Sequence, residues 1–202
     1  MKKLLSLIFF IIIGLSANAQ GAEHGFAIGY NFAWMKTKET NSGNTSVSAP
    51  ISSVTLGWYF RFLVSKKWSV QPEAMFVTYG GTWPDKELRL GYLALSVPLR
   101  WNITPGIFAF TGLQGGILRG RRDKGAYSYY NRYCNCKTYP YKKAYSSLVL
   151  GGGYSFRESG LEASVRYHLG LSDIHEAVAV KTRLNAFQLV LTARIGVLKQ
   201  KL

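Results

Sequence analysis

Three features of the sequence predict an all-β chain, an eight-stranded antiparallel up-and-down transmembrane β-barrel. Apolar and polar residues alternate with period two in segment after segment. Beyond the N-terminal leader no apolar run reaches the roughly 18 residues of a membrane helix, so a spanning chain must cross with strands. The connections between segments are alternately long and short, the hairpin plan of such barrels.

The first nineteen residues read as a cleaved signal peptide. Met1-Lys2-Lys3 supplies positive charge, Leu4 to Leu15 an apolar run, and Ala17-Asn18-Ala19 a small-residue cleavage site. The run is shorter than the roughly 20 residues of a spanning helix. Gln20 rather than Cys follows the site, so the new N-terminus offers no lipidation thiol. Residues 20–202 then form a single outer-membrane barrel domain. The formal charge of +15 loses Lys2 and Lys3 on cleavage. In an exported chain this excess points to phosphorylated lipid headgroups and not to nucleic acid.

Leu161 to Gly170 alternates most cleanly, with Leu161, Ala163, Val165, Tyr167 and Leu169 on one face and Glu162, Ser164, Arg166, His168 and Gly170 on the other. The last strand repeats the pattern from Phe187 to Val197. Weaker alternation marks Phe26 to Trp34, Val54 to Val64, Val70 to Thr78, Leu88 to Trp101, Ile107 to Leu118 and Ser147 to Phe156. Lys36 to Pro50, Gly80 to Glu87, Gly120 to Lys143 and Ser172 to Arg183 read as long loops. Ser65 to Lys67, Asn102 to Gly106 and Arg157 to Gly160 read as short turns.

A soluble lipocalin-like barrel would also have eight strands, with its apolar face turned inward around a ligand. Here the polar face carries Arg61, Glu73, Arg100, Glu162, Arg166, His168 and Arg194 with small residues such as Gly29, Gly57, Gly151 and Gly153, a set suited to an ion-paired lumen. Eight strands leave room for little more than side chains, so a plug is expected and not a pore. The apolar face carries Tyr30, Trp34, Trp58, Phe60, Phe62, Tyr154, Phe156 and Tyr167, as an interfacial aromatic girdle would.

The run Val70-Gln71-Pro72-Glu73-Ala74-Met75-Phe76 through Tyr79-Gly80-Gly81, followed by Tyr92-Leu93-Ala94-Leu95-Ser96-Val97-Pro98-Leu99, resembles the third and fourth strands of PorT-like outer-membrane β-barrel proteins. Gly151 to Tyr154 and the strand exit Arg166-Tyr167-x-x-Gly170-Leu171 agree with that pattern. The resemblance implies a membrane barrel in the outer membrane of a Gram-negative bacterium and an accessory role in protein secretion, without one fixed activity. Lys199-Gln200-Lys201-Leu202 departs from the terminal aromatic residue of many such barrels.

In the longest loop, Arg121, Arg122, Tyr129, Tyr130, Arg132, Tyr133, Tyr139 and Lys142 are candidate binding residues. Tyrosines give contact area at low entropy cost and cations pair with phosphate or acidic partners. Cys134 and Cys136, one residue apart, are candidates for a strained local disulfide, with free thiols, a cross-link or a metal as the open alternatives. Glu162, Ser164 and His168 share a strand face, but at about 3.3 Å per residue Ser164 and His168 lie about 13 Å apart, too far for a nucleophile and its base. His168 is instead expected to bond with Arg166 and Glu162. His24 and His175-Glu176 lack metal-ligand or triad spacing.

The sequence thus predicts an envelope or interaction component acting through long extracellular loops, with no enzymatic activity, cofactor or metal. Its expected partners are outer-membrane lipid and lipopolysaccharide, and a protein of the envelope or secretion machinery. The alternatives are a lipid-modifying barrel enzyme, in which a polar cluster at the membrane-facing rim would be needed for turnover, and a soluble periplasmic ligand carrier.

Overall fold

The computed structural model describes residues 21–40, 42–84, 86–125, 141–156, 159–175 and 180–198. Ten strands follow one another: β1 (Ala22–Glu39), β2 (Thr45–Val47), β3 (Ile51–Leu63), β4 (Trp68–Val70), β5 (Glu73–Trp83), β6 (Lys86–Asn102), β7 (Ile107–Gly125), β8 (Ala144–Phe156), β9 (Leu161–Gly170) and β10 (Val180–Leu198). All pairings are antiparallel, and β1 closes on β10 to give a ring of eight strands. The eight exceed neither prediction nor topology, because β4 and β5 are one barrel strand. Phe62 faces Val70 and Tyr59 faces Glu73 in unbroken register. Only Gln71 and Pro72 separate them, and Pro72 has no N–H to give the ladder. The small strand β2 continues β3 along the same edge of β1, Val47 facing Lys36 beyond the Ala33–Ile51 pair, so the two are also one barrel strand.

The strands run further than alternation marks them. β1 continues to Glu39 and β7 to Gly125, so the first residues of the longest predicted loop are strand. Gly80 to Glu87 is not a loop at all. It is the tip of a tight hairpin in which Trp83 pairs with Lys86. Three short turns and the first and last described residues share one end of the barrel; the β1–β3, β7–β8 and β9–β10 connections share the other with the tight β5–β6 hairpin.

The apolar face points outward, with Phe76 63% and Leu191 58% exposed. The ligand-carrier alternative is therefore overturned, since it needs that face inside. Outward rings gather toward both ends. Trp34, Tyr167 and Phe187 pack together near the long-loop end. At the short-turn end His24 stacks on Trp58, and Trp68 on Trp101. From His24 to Trp34 is about 33 Å of strand, which at a tilt of about 40° spans roughly 25 Å of height, the thickness of an outer-membrane apolar band.

Candidate functional site

Inward side chains fill the lumen in two layers. The layer toward the short-turn end is ionic. On β9, Glu162 and Arg166 point inward with Ser164 and His168 because alternate residues share a face. Glu162 accepts from Arg61 on β3 at 3.0 and 2.5 Å, from Arg100 on β6 at 2.8 Å and from the Thr192 hydroxyl on β10 at 3.4 Å. Arg61 also reaches Glu23 at 3.0 Å and Gln71 at 2.8 Å. Arg194 donates to Glu23 at 3.0 Å. Glu73 holds Arg166 through both of its oxygens and accepts from Gln71 at 2.7 Å and Ser96 at 3.3 Å. Among the described residues, four arginines thus share three glutamates. Each buried charge is paired, as burial in a low-dielectric interior demands. The Arg100 guanidinium lies 3.6 Å from the Phe108 ring centre, which uses its remaining face.

The layer toward the long-loop end is apolar and aromatic. Tyr79, Tyr92 and Tyr145 pack edge to face, with ring centres 4.6 to 6.0 Å apart. Leu90, Leu184, Met35 and Ile174 close around them. Glycines provide the space. A β-carbon at Gly116 would overlap the Tyr145 ring, and one at Gly151 would overlap Phe110. Below this plug a vestibule of about 390 Å3, lined by Glu23, Arg61, Arg100, Glu162 and Arg194, reaches the short turns at Lys66, Thr104 and Gly160. Further in, the space among Gln71, Glu73, Arg100, Phe108 and Arg166 shrinks to about 10 Å3, no more than one water-sized void.

The predicted lumen residues Arg61, Glu73, Arg100, Glu162, Arg166 and Arg194 all come together here. His168 does not join them. Its Nε2 lies 2.9 Å from Gln188 Oε1 and its Nδ1 3.4 Å from the Tyr79 hydroxyl, so the expected bonds to Arg166 and Glu162 are replaced. Neighbours two residues along a strand are nearly 7 Å away, while cross-strand neighbours are closer. Ser164 donates to the Val190 carbonyl and accepts from Arg166, so it and His168 form no nucleophile–base pair. Among the described residues no three His, Cys, Asp or Glu side chains gather as metal ligands would. Alternation read over single strands passed over Glu23, Gln71 and Ser96, while Thr192 falls on the polar face it marks in the last strand. Glu23 keeps the inward parity of Gly25 and Ala27, a signal that extending the first strand by three residues would have caught.

At the long-loop rim, a register shift beside Tyr92 makes Arg119 an extra residue on β7 and exchanges the faces beyond it. Arg121 and Asp123 consequently face inward, pairing at 2.6 Å, with Arg121 5.3 Å from the Tyr141 ring centre. Arg122 is exposed opposite Arg89, and Lys142 lies 3.7 Å from Asp173. Arg121 is therefore part of the rim's own packing and not a free loop cation. A cavity of about 250 Å3 opens there among Trp83, Lys86, Asp123, Tyr141 and His175. The remaining candidates, Tyr129, Tyr130, Arg132, Tyr133, Tyr139, Cys134 and Cys136, lie outside the described residues, as do 1–20 and 199–202.

A closed antiparallel barrel with a filled polar lumen, an apolar outer band and aromatic rings toward both edges is a membrane-embedded barrel. Residues 18–176 match the outer membrane protein β-barrel domain family, and the chain belongs to it. No curated protein sequence matches the chain. It is similar to solved structures of the attachment invasion locus protein Ail of Yersinia pestis (15% identity, TM-score 0.43, covering 86% of this chain and 99% of that one). Similar too are the outer membrane protein OprG of Pseudomonas aeruginosa (14%, 0.40, 88% and 99%) and Neisserial surface protein A (13%, 0.44, 84% and 97%).

Proposed function

We propose that this outer-membrane barrel is a non-enzymatic envelope component of a Gram-negative bacterium, exported through a cleaved signal peptide, that holds a partner with its long-loop rim. The observation that carries this reading is the filled lumen. With the ionic layer below and the tyrosine plug above, the barrel offers its rim and not a passage. On the orientation usual for such barrels the short turns face the periplasm and the long connections face outward. Arg122 and Lys142 on the described rim, with Tyr129, Tyr130, Arg132, Tyr133 and Tyr139 in the same connection, supply cations and aromatic anchors for lipopolysaccharide or an envelope protein. An accessory place in protein secretion is the finer form of this reading, and it rests on the PorT-like sequence pattern.

The test is capture from solubilised outer membranes by the tagged, folded barrel, confirmed as folded by its heat-dependent shift in gel mobility. Replacing Tyr129, Tyr130, Arg132 and Tyr133 together with Ala should weaken partner binding more than about 100-fold, since aromatic and Arg anchors each contribute about 2 kcal/mol or more at such interfaces. Identical capture by both proteins would overturn the proposal, as would lipid turnover by the purified barrel.

A further inference from the structure

β1 and β10 meet along the closing seam of the barrel. Near the long-loop end Lys36 lies directly opposite Arg183, and Lys38 opposite Lys181. All four side chains are exposed on the outer wall, since they share the parity of outward-facing Phe32, Trp34 and Phe187. Directly opposed strand residues have Cα atoms about 4.5–5.5 Å apart, and the two pairs are about 7 Å apart along the strand. Like charges so placed repel each other. None of the four forms an ion pair among the described residues. Glu39, on the opposite face of β1, accepts from the Ser42 hydroxyl, and Asp173, beside β10, accepts from the amides of Thr182 and His175.

Depth is fixed independently. Trp34 precedes Lys36 by one outward position and packs with Tyr167 and Phe187 in the aromatic girdle. The lower cations therefore lie about 7 Å further along the strand, roughly 5 Å in height beyond the ring layer, at the level of lipid headgroups. The other end of the same seam has no such set: Ala22 faces Leu198 and His24 faces Gly196.

We infer that Lys36, Lys38, Lys181 and Arg183 form a site on the outer wall for the phosphates of a glycolipid in the outer leaflet, with its acyl chains against the apolar face below. A phosphate offers several acceptor oxygens to opposed cations and removes their mutual repulsion. This deepens the lipopolysaccharide part of the proposed function and rests on it, but it places the contact on the barrel wall and not in the 126–140 connection.

The experiment uses the mature chain folded in phosphatidylcholine nanodiscs doped with bisphosphorylated lipid A, and counts retained glycolipid by native mass spectrometry. The K36Q/K38Q/K181Q/R183Q variant should retain lipid A at least about 100-fold less well at low salt. K66Q/K67Q, in the opposite turn, should bind as the unaltered chain does. Fully dephosphorylated lipid A should bind the unaltered chain as weakly as bisphosphorylated lipid A binds the fourfold variant. Should the fourfold variant lack the heat-shifted gel band of a folded barrel, K38Q/K181Q serves in its place, with an expected loss of at least about tenfold. Equal retention by the variant, or equal binding of dephosphorylated lipid, would overturn the site. So would equally tight capture of inorganic pyrophosphate, which would make the ladder a site for free anions. Partner capture through Tyr129 to Tyr133 should survive these substitutions, so failure of the wall site and failure of the loop reading give different results.

Discussion

Glu162→Gln is the most direct test of how the lumen is held together. The substitution keeps the side-chain volume but removes the carboxylate that Arg61 grips with two bonds and Arg100 with one. It also turns an amide donor toward guanidinium donors. Four arginines would then share two carboxylates, in a site where the side chains of Arg61, Arg100 and Glu162 are 7%, 7% and 8% exposed. Removing one member of a buried ion pair costs about 3–5 kcal/mol. Arg61 keeps Glu23 and Gln71, and Arg100 keeps Asn102, so a loss near the lower bound, about 3 kcal/mol, is expected. Denaturant unfolding of the barrel in lipid vesicles, followed by tryptophan fluorescence, would read this as a lower midpoint at unchanged slope. Adding Arg100→Gln to Glu162→Gln should recover at least about 1 kcal/mol, because it removes one of the stranded charges. A single variant within about 1 kcal/mol of the parent would show that the network is not what holds the lumen.

In planar bilayers the unaltered barrel should give no steady single-channel steps; regular steps of porin size would mean that the tyrosine plug and ionic layer leave a path. Leu191→Arg, on the outward face of β10, should lower stability by about 2–4 kcal/mol in the same vesicle assay. Val47→Arg, exposed in β2 beyond the aromatic girdle, should stay within about 0.5 kcal/mol, and equal losses for the two would refute the assigned membrane band.

The ring of strands was legible where one face meets lipid and the other meets protein, since that contrast imposes strict alternation. Leu161 to Gly170 carries it almost without fault, and the parity it sets brings Glu162 and Arg166 to their partners on other strands. Legibility fades where both faces meet water. Lys36 to Glu39 are polar or charged on either side, so nothing in their pattern distinguishes strand from loop, yet they pair continuously with β10. Gly80-Gly81 and Pro84 carry loop-like composition although Gly80, Gly81 and Thr82 lie in a regular ladder. The extra residue at Arg119 could not be inferred from β7 alone, because a bulge is a property of two strands compared. The same reason hid the partners of His168, which come from β10 and β5 and not from its own strand.

The seam between β1 and β10 joins Ala22 to Leu198, residues from opposite ends of the folding chain. Until the last strand arrives, β1 and β9 would each present a bare row of peptide groups, which hydrocarbon cannot solvate. Assembly is therefore an all-or-none event that must await export of the final residues, with contacts so distant in sequence that closure is slow compared with helix formation. A premature stop before β10 would leave the edges of β1 and β9 both unpaired, so it would yield no closed barrel and not a smaller one.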